Sequence, residues 1–380
     1  MRYFAAPMDA KDAAHLPLFV AGLAFALAFV FGWVANRVNF CTMGAVTDVV
    51  NFGDWRRMRM WVLAIAVAIT GAGVLGALGL VDFSKTIYTN PSVAWVSALV
   101  GGFLFGFGMT LSSGCGSKTL IRAGAGNLKS WVVLFVLAIA AYMTLKGLFA
   151  VWRTVGLDPW RFDVSPLGAR TSDLPAIASA VGLSAARAWL PFVVAALLAL
   201  YVFKDRDFRT TPELVIGGLV VGLVIVGGWY ISGHMGYLPE DPNTLEEKFV
   251  ATNSGRAESY SFTSPVAYTL ELLMFWSDTS RIVTFGIAGV LGMLAGSFAY
   301  AITSKTFRWE GFGSVEDVAN HIIGGVLMGF GGVTALGCTI GQGLTGISTL
   351  AIGSILAFAA IVAGCVAAVR YQVWRLERTA

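Results

Sequence analysis

The chain has 380 residues, 57% hydrophobic and only 13% charged, with a net charge of +4 and a mean hydropathy of +0.74. Soluble domains carry about a quarter charged residues, so this balance excludes an ordinary soluble protein and points to an all-α, polytopic membrane protein. The basic residues sit in short connections and read as topogenic charge, so nucleic acid is not an expected partner.

Apolar runs near the roughly 20 residues needed to cross a bilayer recur along the chain. The first, 16–38, lacks a basic leader and a small-residue cleavage site, and reads as a retained helix rather than a signal peptide. Further spanning helices are expected at 60–81, 92–111, 130–151, 188–203, 213–232, 281–303, 320–336 and 348–370, about nine in all. Arg56/Arg57/Arg59, Lys118/Arg122/Lys129, Lys204/Arg206/Arg209, Lys305/Arg308 and Arg370/Arg375/Arg378 fall consistently on alternate connections. All five groups are cytoplasmic if the N-terminus is outside and the C-terminus inside. The Pro-containing insertion 152–187 is then external, as is the acidic connection 233–280 with Glu240, Asp241, Glu246, Glu247 and Glu258. Glu271, in the apolar run 267–276, is an ionisable residue at membrane depth or at the outer surface, and a role in coupling or gating is the functional alternative to a structural one.

The chain repeats itself. Segment 101–126 runs an apolar, Gly-laced helix into Ser112-Ser113-Gly114-Cys115-Gly116; segment 324–346 does the same into Gly337-Cys338-Thr339. One offset superposes Cys115 on Cys338, Gly114 on Gly337, and Gly106-Phe107-Gly108 on Gly329-Phe330-Gly331. Gly22, Gly32 and Trp33 likewise match Gly218, Gly228 and Trp229. Two four-helix copies joined by an odd helix must be oppositely oriented, the inverted-repeat plan of transporters. The expected division is 1–187, a linking helix at 188–203, and 204–380.

Three segments are too apolar and Gly-rich for ordinary loops: Asn39-Phe40-Cys41-Thr42-Met43-Gly44-Ala45, Ser113-Gly114-Cys115-Gly116-Ser117, and Gly337-Cys338-Thr339-Ile340-Gly341-Gln342-Gly343. Non-helical backbone at membrane depth has to be buried in protein or line a cavity, so short re-entrant helices along a path are expected, with Ser113 and Thr339 supplying N-cap chemistry. The counterpart of Phe40-Cys41-Thr42 is Phe262-Thr263-Ser264, where the thiol is missing. Helix N-termini at depth attract anions. Lys118 and Arg122, four residues apart beyond Cys115, add cationic charge at the cytoplasmic mouth or serve topology alone. A thiol deep in apolar surroundings keeps its proton at neutral pH and is a soft, weak donor. It suits an anion with a terminal sulfur, such as thiosulfate, better than sulfate. Cys41, Cys115 and Cys338 are therefore path candidates, while Cys365 reads as packing. The four cysteines form no C-x-x-C pair, and Gly114-Cys115-Gly116-Ser117-Lys118-Thr119 lacks the glycine before lysine of a phosphate-binding loop. No metal and no cofactor are expected.

These three motifs, with Gly124-Ala125-Gly126-Asn127-Leu128 and Leu344-Thr345-Gly346, resemble the YeeE/YedE sulfur-transport family over nearly the whole chain. The resemblance implies an inner-membrane thiosulfate importer of pseudo-symmetric, hourglass shape, working with a cytoplasmic TusA-type sulfur carrier. It places the path thiols on Cys41, Cys115 and Cys338, flanked by Thr42, Gly114, Gly116, Gly337, Thr339, Gly341 and Gln342. Some relatives are tied to selenium metabolism, and the insertions at 152–187 and 233–262 leave the substrate open among sulfur and selenium species. Two other readings stand beside transport: a membrane sulfurtransferase using Cys115 or Cys338, and a scaffold that recruits a sulfur carrier. With no nucleotide motif and no paired intramembrane carboxylate, uptake is expected to be passive or partner-driven.

Overall fold

The structure, a computed structural model, describes residues 10–183, 185–241 and 244–379. The expected external N-terminus (1–9), position 184 of the 152–187 insertion and positions 242–243 of the 233–280 connection lie outside them. In chain order the helices are α1 (Ala10–Arg37), α2 (Thr42–Phe52), α3 (Arg56–Ala77), α4 (Trp95–Leu111), α5 (Gly116–Gly124), α6 (Leu128–Lys146), α7 (Leu148–Trp152), α8 (Leu174–Ala180), α9 (Ala186–Phe203), α10 (Arg206–Arg209), α11 (Pro212–Tyr230), α12 (Ser264–Met274), α13 (Phe285–Thr303), α14 (Val315–Thr334) and α15 (Ile352–Thr379). Two two-residue ribbons, 92–93 with 162–163 and 237–238 with 248–249, are the strands among the described residues.

The protein is an all-α polytopic membrane protein. Eight segments among the described residues are long and apolar enough to cross a membrane. The ninth expected span, 320–336, corresponds to α14, which has 20 residues but begins with a polar turn holding Glu316 and Asp317. That turn depresses its hydropathy, although α14 packs between α4 and α6. The expected helix at 130–151 breaks at Gly147 into α6 and α7, and a π-helical turn (Arg153–Leu157) follows.

The packing repeats as the sequence does. α1 lies on α13 as α11 lies on α3; α15 lies on α4 as α6 lies on α14; α12 contacts α6 as α2 contacts α15. These crossings are backbone-close because glycines line them. A Cβ on Gly296 would stand 1.9 Å from the Phe29 carbonyl oxygen, and one on Gly106 would stand 2.0 Å from that of Ile361. Small residues let membrane helices approach and gain dispersion contacts where lipid offers no hydrophobic drive between them.

One face of the bundle gathers the basic groups, several tied by ion pairs between elements: Arg37–Glu213 at 3.1 Å, Arg59–Asp205 at 3.3 Å and Lys129–Asp317 at 2.8 Å. The opposite face carries the connections 78–94, 153–173 and 236–263 and is called the loop face below. Glu271 is buried and accepts from Lys146 at 3.1 Å, Arg281 at 3.0 Å and the Tyr142 hydroxyl at 3.2 Å. Two cations and a phenol neutralise it, so it clamps α12 to the end of α6.

Candidate functional site

The two short helices of the first copy both start at a cysteine. Asn39 takes a left-handed turn (φ 53°) after α1, and Cys41 is then extended and caps α2, its Sγ accepting the Gly44 N–H at 3.4 Å. After α4 the chain reverses at Ser113 (φ 58°), and extended Cys115 leads into α5. Ser113 therefore does not cap α5 as the sequence reading expected; its carbonyl accepts from Arg122 at 3.0 Å. Arg122 ties the turn, whereas Lys118 reaches Asn39 Oδ1 and stands beside both thiols. Cys41 and Cys115 face each other although 74 residues separate them in the chain, and Ser117 Oγ lies 3.2 Å from Cys115 Sγ.

Cys338 is fully buried, and its sulfur accepts the N–H groups of Phe262 at 3.3 Å and Gly341 at 3.5 Å. Beyond it the chain winds a π-helical turn, Gly341–Gly346, rather than a regular re-entrant helix. Gln342 donates its amide to the Ala335 carbonyl and so closes the C-terminal end of α14. Gly341 is crowded: a Cβ there would lie 2.5 Å from Ser261 Oγ. Gly116 is not, its nearest neighbour being the Phe262 carbonyl oxygen at 3.8 Å. The backbone of Phe262 thus touches Cys338 through its N–H and approaches Gly116 through its carbonyl oxygen.

Buried hydroxyls accompany the thiols. Thr42, Thr263 and Thr339 are each at most 1% exposed; among the described residues the Oγ1 atoms of Thr42 and Thr263 have no hydrogen-bond partner, while the Thr339 hydroxyl meets the Cys115 sulfur. Thr339 does not cap a helix; its side chain faces Cys115. Thr263 stands where the first copy has Cys41, so a thiol pair in one copy answers a thiol–hydroxyl set in the other. Buried polar atoms without partners are costly and rare. Two of them, Thr42 and Thr263, lie next to the cysteine motifs.

Two adjacent cavities, about 320 and 180 Å³, lie at the loop face and share Ile87, Tyr88, Arg153 and Leu336 in their walls. Tyr88 OH also approaches Gly341, beside Cys338. The larger holds Arg153 and Arg161 of the 152–187 insertion and Arg256 of the 233–280 connection, whose acidic residues stood out in the sequence. The acids are largely answered within their own face. Lys85 pairs with Glu247 and holds that carboxyl below the usual carboxylate range, and Lys248 meets Asp241 at 2.6 Å. Glu258 is different. It lines the smaller cavity, accepts the Ser254 hydroxyl at 3.0 Å and the Asn253 backbone N–H, and burial pushes it up to about 7. Among the described residues no group of His, Cys, Asp and Glu could hold a metal ion.

Residues 37–367 match the family described as Sulphur transport. The chain is 29% identical to the thiosulfate transporter TsuA of Spirochaeta thermophila over 87% of this chain and 92% of that protein. It is 27% identical to the thiosulfate transporter TsuA of Escherichia coli over 83% and 84%. The probable transporter YedE of Escherichia coli shares 29% identity over a shorter stretch, 30% of this chain and 26% of that protein. Three buried thiols at broken helices, in a bundle that repeats its own packing, are thus the core of a chain that belongs to the Sulphur transport family.

Proposed function

We propose that the protein carries thiosulfate, or a close relative with a terminal sulfur, along the line Cys338, Cys115 and Cys41, from the loop face to the basic face. The observation that carries this reading is the alternation of buried thiols with buried hydroxyls, of which those of Thr42 and Thr263 have no partner among the described residues. Each S–H is a soft donor for the outer sulfur, and Thr263, Thr339 and Thr42 are harder donors for the sulfonate oxygens. In this reading 1–187 and 204–380 are inverted copies linked at 188–203, supported by the exchanged pairings of α1 with α13 and α11 with α3. The loop face is periplasmic and the basic face cytoplasmic, in an inner membrane. Lys118 receives the anion at the inner mouth, where a TusA-type carrier collects it. The names of the two full-length relatives support the substrate.

Uptake of radiolabelled thiosulfate into proteoliposomes tests the proposal. Replacing Cys41, Cys115 or Cys338 by Ala should each slow uptake about tenfold, the worth of one buried hydrogen bond of about 1–2 kcal/mol. Cys365→Ala should not, because its sulfur only accepts the Thr110 hydroxyl at 3.2 Å between α4 and α15. Uptake unchanged in the triple Ser variant would overturn the reading.

Lys118 beside Cys115 also fits a sulfurtransferase. There a Cys115 thiolate attacks the outer sulfur of thiosulfate, the S–S bond breaks, sulfite leaves with the bonding electron pair, and the cysteine becomes a persulfide. Transport without such covalent chemistry is the reading proposed here. Intact-mass measurement after exposure to substrate separates the two, since the persulfide adds one sulfur.

Glu258 makes uptake pH-dependent. Its facing groups are Tyr88 and Tyr268, Ser254, and Arg153 of the shared wall. Centred near pH 7, its protonated fraction falls from about nine tenths at pH 6 to about one tenth at pH 8. A carboxylate in an anion vestibule repels the passenger, so uptake should fall several-fold over that range. Glu258→Gln should flatten the profile at the acid-side rate; an unaltered profile would remove Glu258 from the route.

A further inference from the structure

The two half-helices beside the thiols are pinned in the same way at opposite faces. α2 and α12 have eleven residues each and directly follow Cys41 and its counterpart Thr263. Asp48 lies seven residues beyond Cys41, and Glu271 eight beyond Thr263. Each carboxylate meets an arginine of the segment leading into the next long helix: Arg57 in the first turn of α3, and Arg281 four residues before α13. Arg57 grips Asp48 with two donors, Nε on Oδ2 and Nη2 on Oδ1, the latter at 2.6 Å. Arg281 Nη1 stands 3.0 Å from Glu271 Oε1, and Lys146 Nζ is 3.1 Å from the same oxygen. Neither acid is favoured there by its own helix, since both lie in the C-terminal half, toward the negative end of the dipole.

Both pairs connect to the backbone that holds a sulfur. The Arg57 guanidinium lies against Gly44, where a Cβ would stand 2.5 Å from Nη1, and the Gly44 N–H is the donor on Cys41 Sγ. In the other copy Pro265, in the first turn of α12, rests on Gly286 of α13, where a Cβ would stand 2.9 Å from it. Three residues earlier Phe262 gives its N–H to Cys338 Sγ. α12 is thus held at its base by α13 and at its far end by Arg281. Both arginines are answered by carboxylates, so they serve position and not the charge of a passenger.

We propose that Asp48–Arg57 and Glu271–Arg281 are matched latches. Their members are positioning residues that set the depth of α2 and α12, and through it the placement of Cys41 and Cys338. The inference rests on the transport reading and deepens it. One latch fixes the thiol nearest the basic face and the other the thiol nearest the loop face, so the two ends of the route are set independently.

Alkylation of the detergent-solubilised full chain with N-ethylmaleimide, followed cysteine by cysteine by peptide mass, tests the latches without requiring transport. Removing one partner of such a pair leaves the other charge uncompensated. Asp48→Asn should speed modification of Cys41 several-fold and leave Cys338 and Cys365 at the parent rate. Glu271→Gln leaves Lys146 and Arg281 facing each other, and should speed Cys338 while Cys41 and Cys365 stay unchanged. Exchanging the partners, Asp48→Arg with Arg57→Asp, should return Cys41 to near the parent rate. Thiosulfate uptake, lowered several-fold by Asp48→Asn, should recover with it. An equal rise at all four cysteines, or unchanged rates in both single variants, overturns the latches. The selective pattern in a protein whose parent form takes up no thiosulfate would instead overturn the transport reading and leave the latches standing.

Discussion

Gly341→Val should insert into the membrane in normal yield and carry no substrate above the level of empty liposomes. The reason is local. The Gly341 N–H is one of two backbone donors on Cys338 Sγ, and a Cβ at this residue would lie 2.5 Å from Ser261 Oγ and 3.6 Å from Tyr88 OH. Valine adds two further methyl groups to a point where one does not fit, and overpacking of this kind costs about 1–3 kcal/mol. The π-helical turn yields first because it lacks the regular bonding of a long helix. Its yielding pulls the donor from Cys338 and fills the passage between Cys338 and the loop-face cavities. Gly116→Ala is the matched control, since a Cβ there meets nothing closer than 3.8 Å. Normal uptake by Gly341→Val would show that the turn has slack and that Cys338 is reached another way.

Gly296→Ala should destabilise the whole protein, by about 1–3 kcal/mol, read as a fall of several degrees in the melting temperature in detergent. Within an isolated helix the same change stabilises, because glycine is worse than alanine by about 0.5–1 kcal/mol. The sign reverses here because the new Cβ would stand 1.9 Å from the Phe29 carbonyl oxygen, and only movement of backbone against backbone relieves that. Gly22→Ala on α1 separates the two effects: nothing lies within 4 Å of the added atom, so this variant should melt at or slightly above the parent temperature. Equal melting temperatures for Gly296→Ala and the parent would mean that α1 and α13 are not locked at this crossing.

The cysteine motifs were legible in the sequence because the repeat marks them. Gly114-Cys115 and Gly337-Cys338 share one offset with the glycines before them, and broken helices in an apolar chain have few physical reasons to exist. The facing of Cys41 and Cys115 was not legible, for it depends on two separate chain reversals, at Asn39 and Ser113, that bring α2 and α5 to one point. The arginines of the loop face were hidden for another reason. Charge counted along a connection says nothing about partners such as Lys85 and Glu247, which lie 162 residues apart. Only after the acids are matched do Arg153, Arg161 and Arg256 stand out. The hydroxyls are an intermediate case. Thr263 could be aligned with Cys41, but that its oxygen lacks a partner is a property of packing alone.

The glycine-lined crossings bear on time as well as on stability. Helices whose backbones interlock at Gly296 and Phe29, and again at Gly106 and Ile361, cannot slide past each other without first separating. Rocking of one bundle against another, a microsecond-to-millisecond motion, would have to break contacts of this kind at several crossings at once. At Gly44 of α2 and at Gly341, Gly343 and Gly346 of the turn the close neighbours are side chains rather than backbone, and side chains can yield locally. Passage by rotation of a few side chains and one turn belongs to the nanosecond-to-microsecond range of loops. Turnover should therefore show the shallow temperature dependence of a pore with local gates, set inside a frame that stays still.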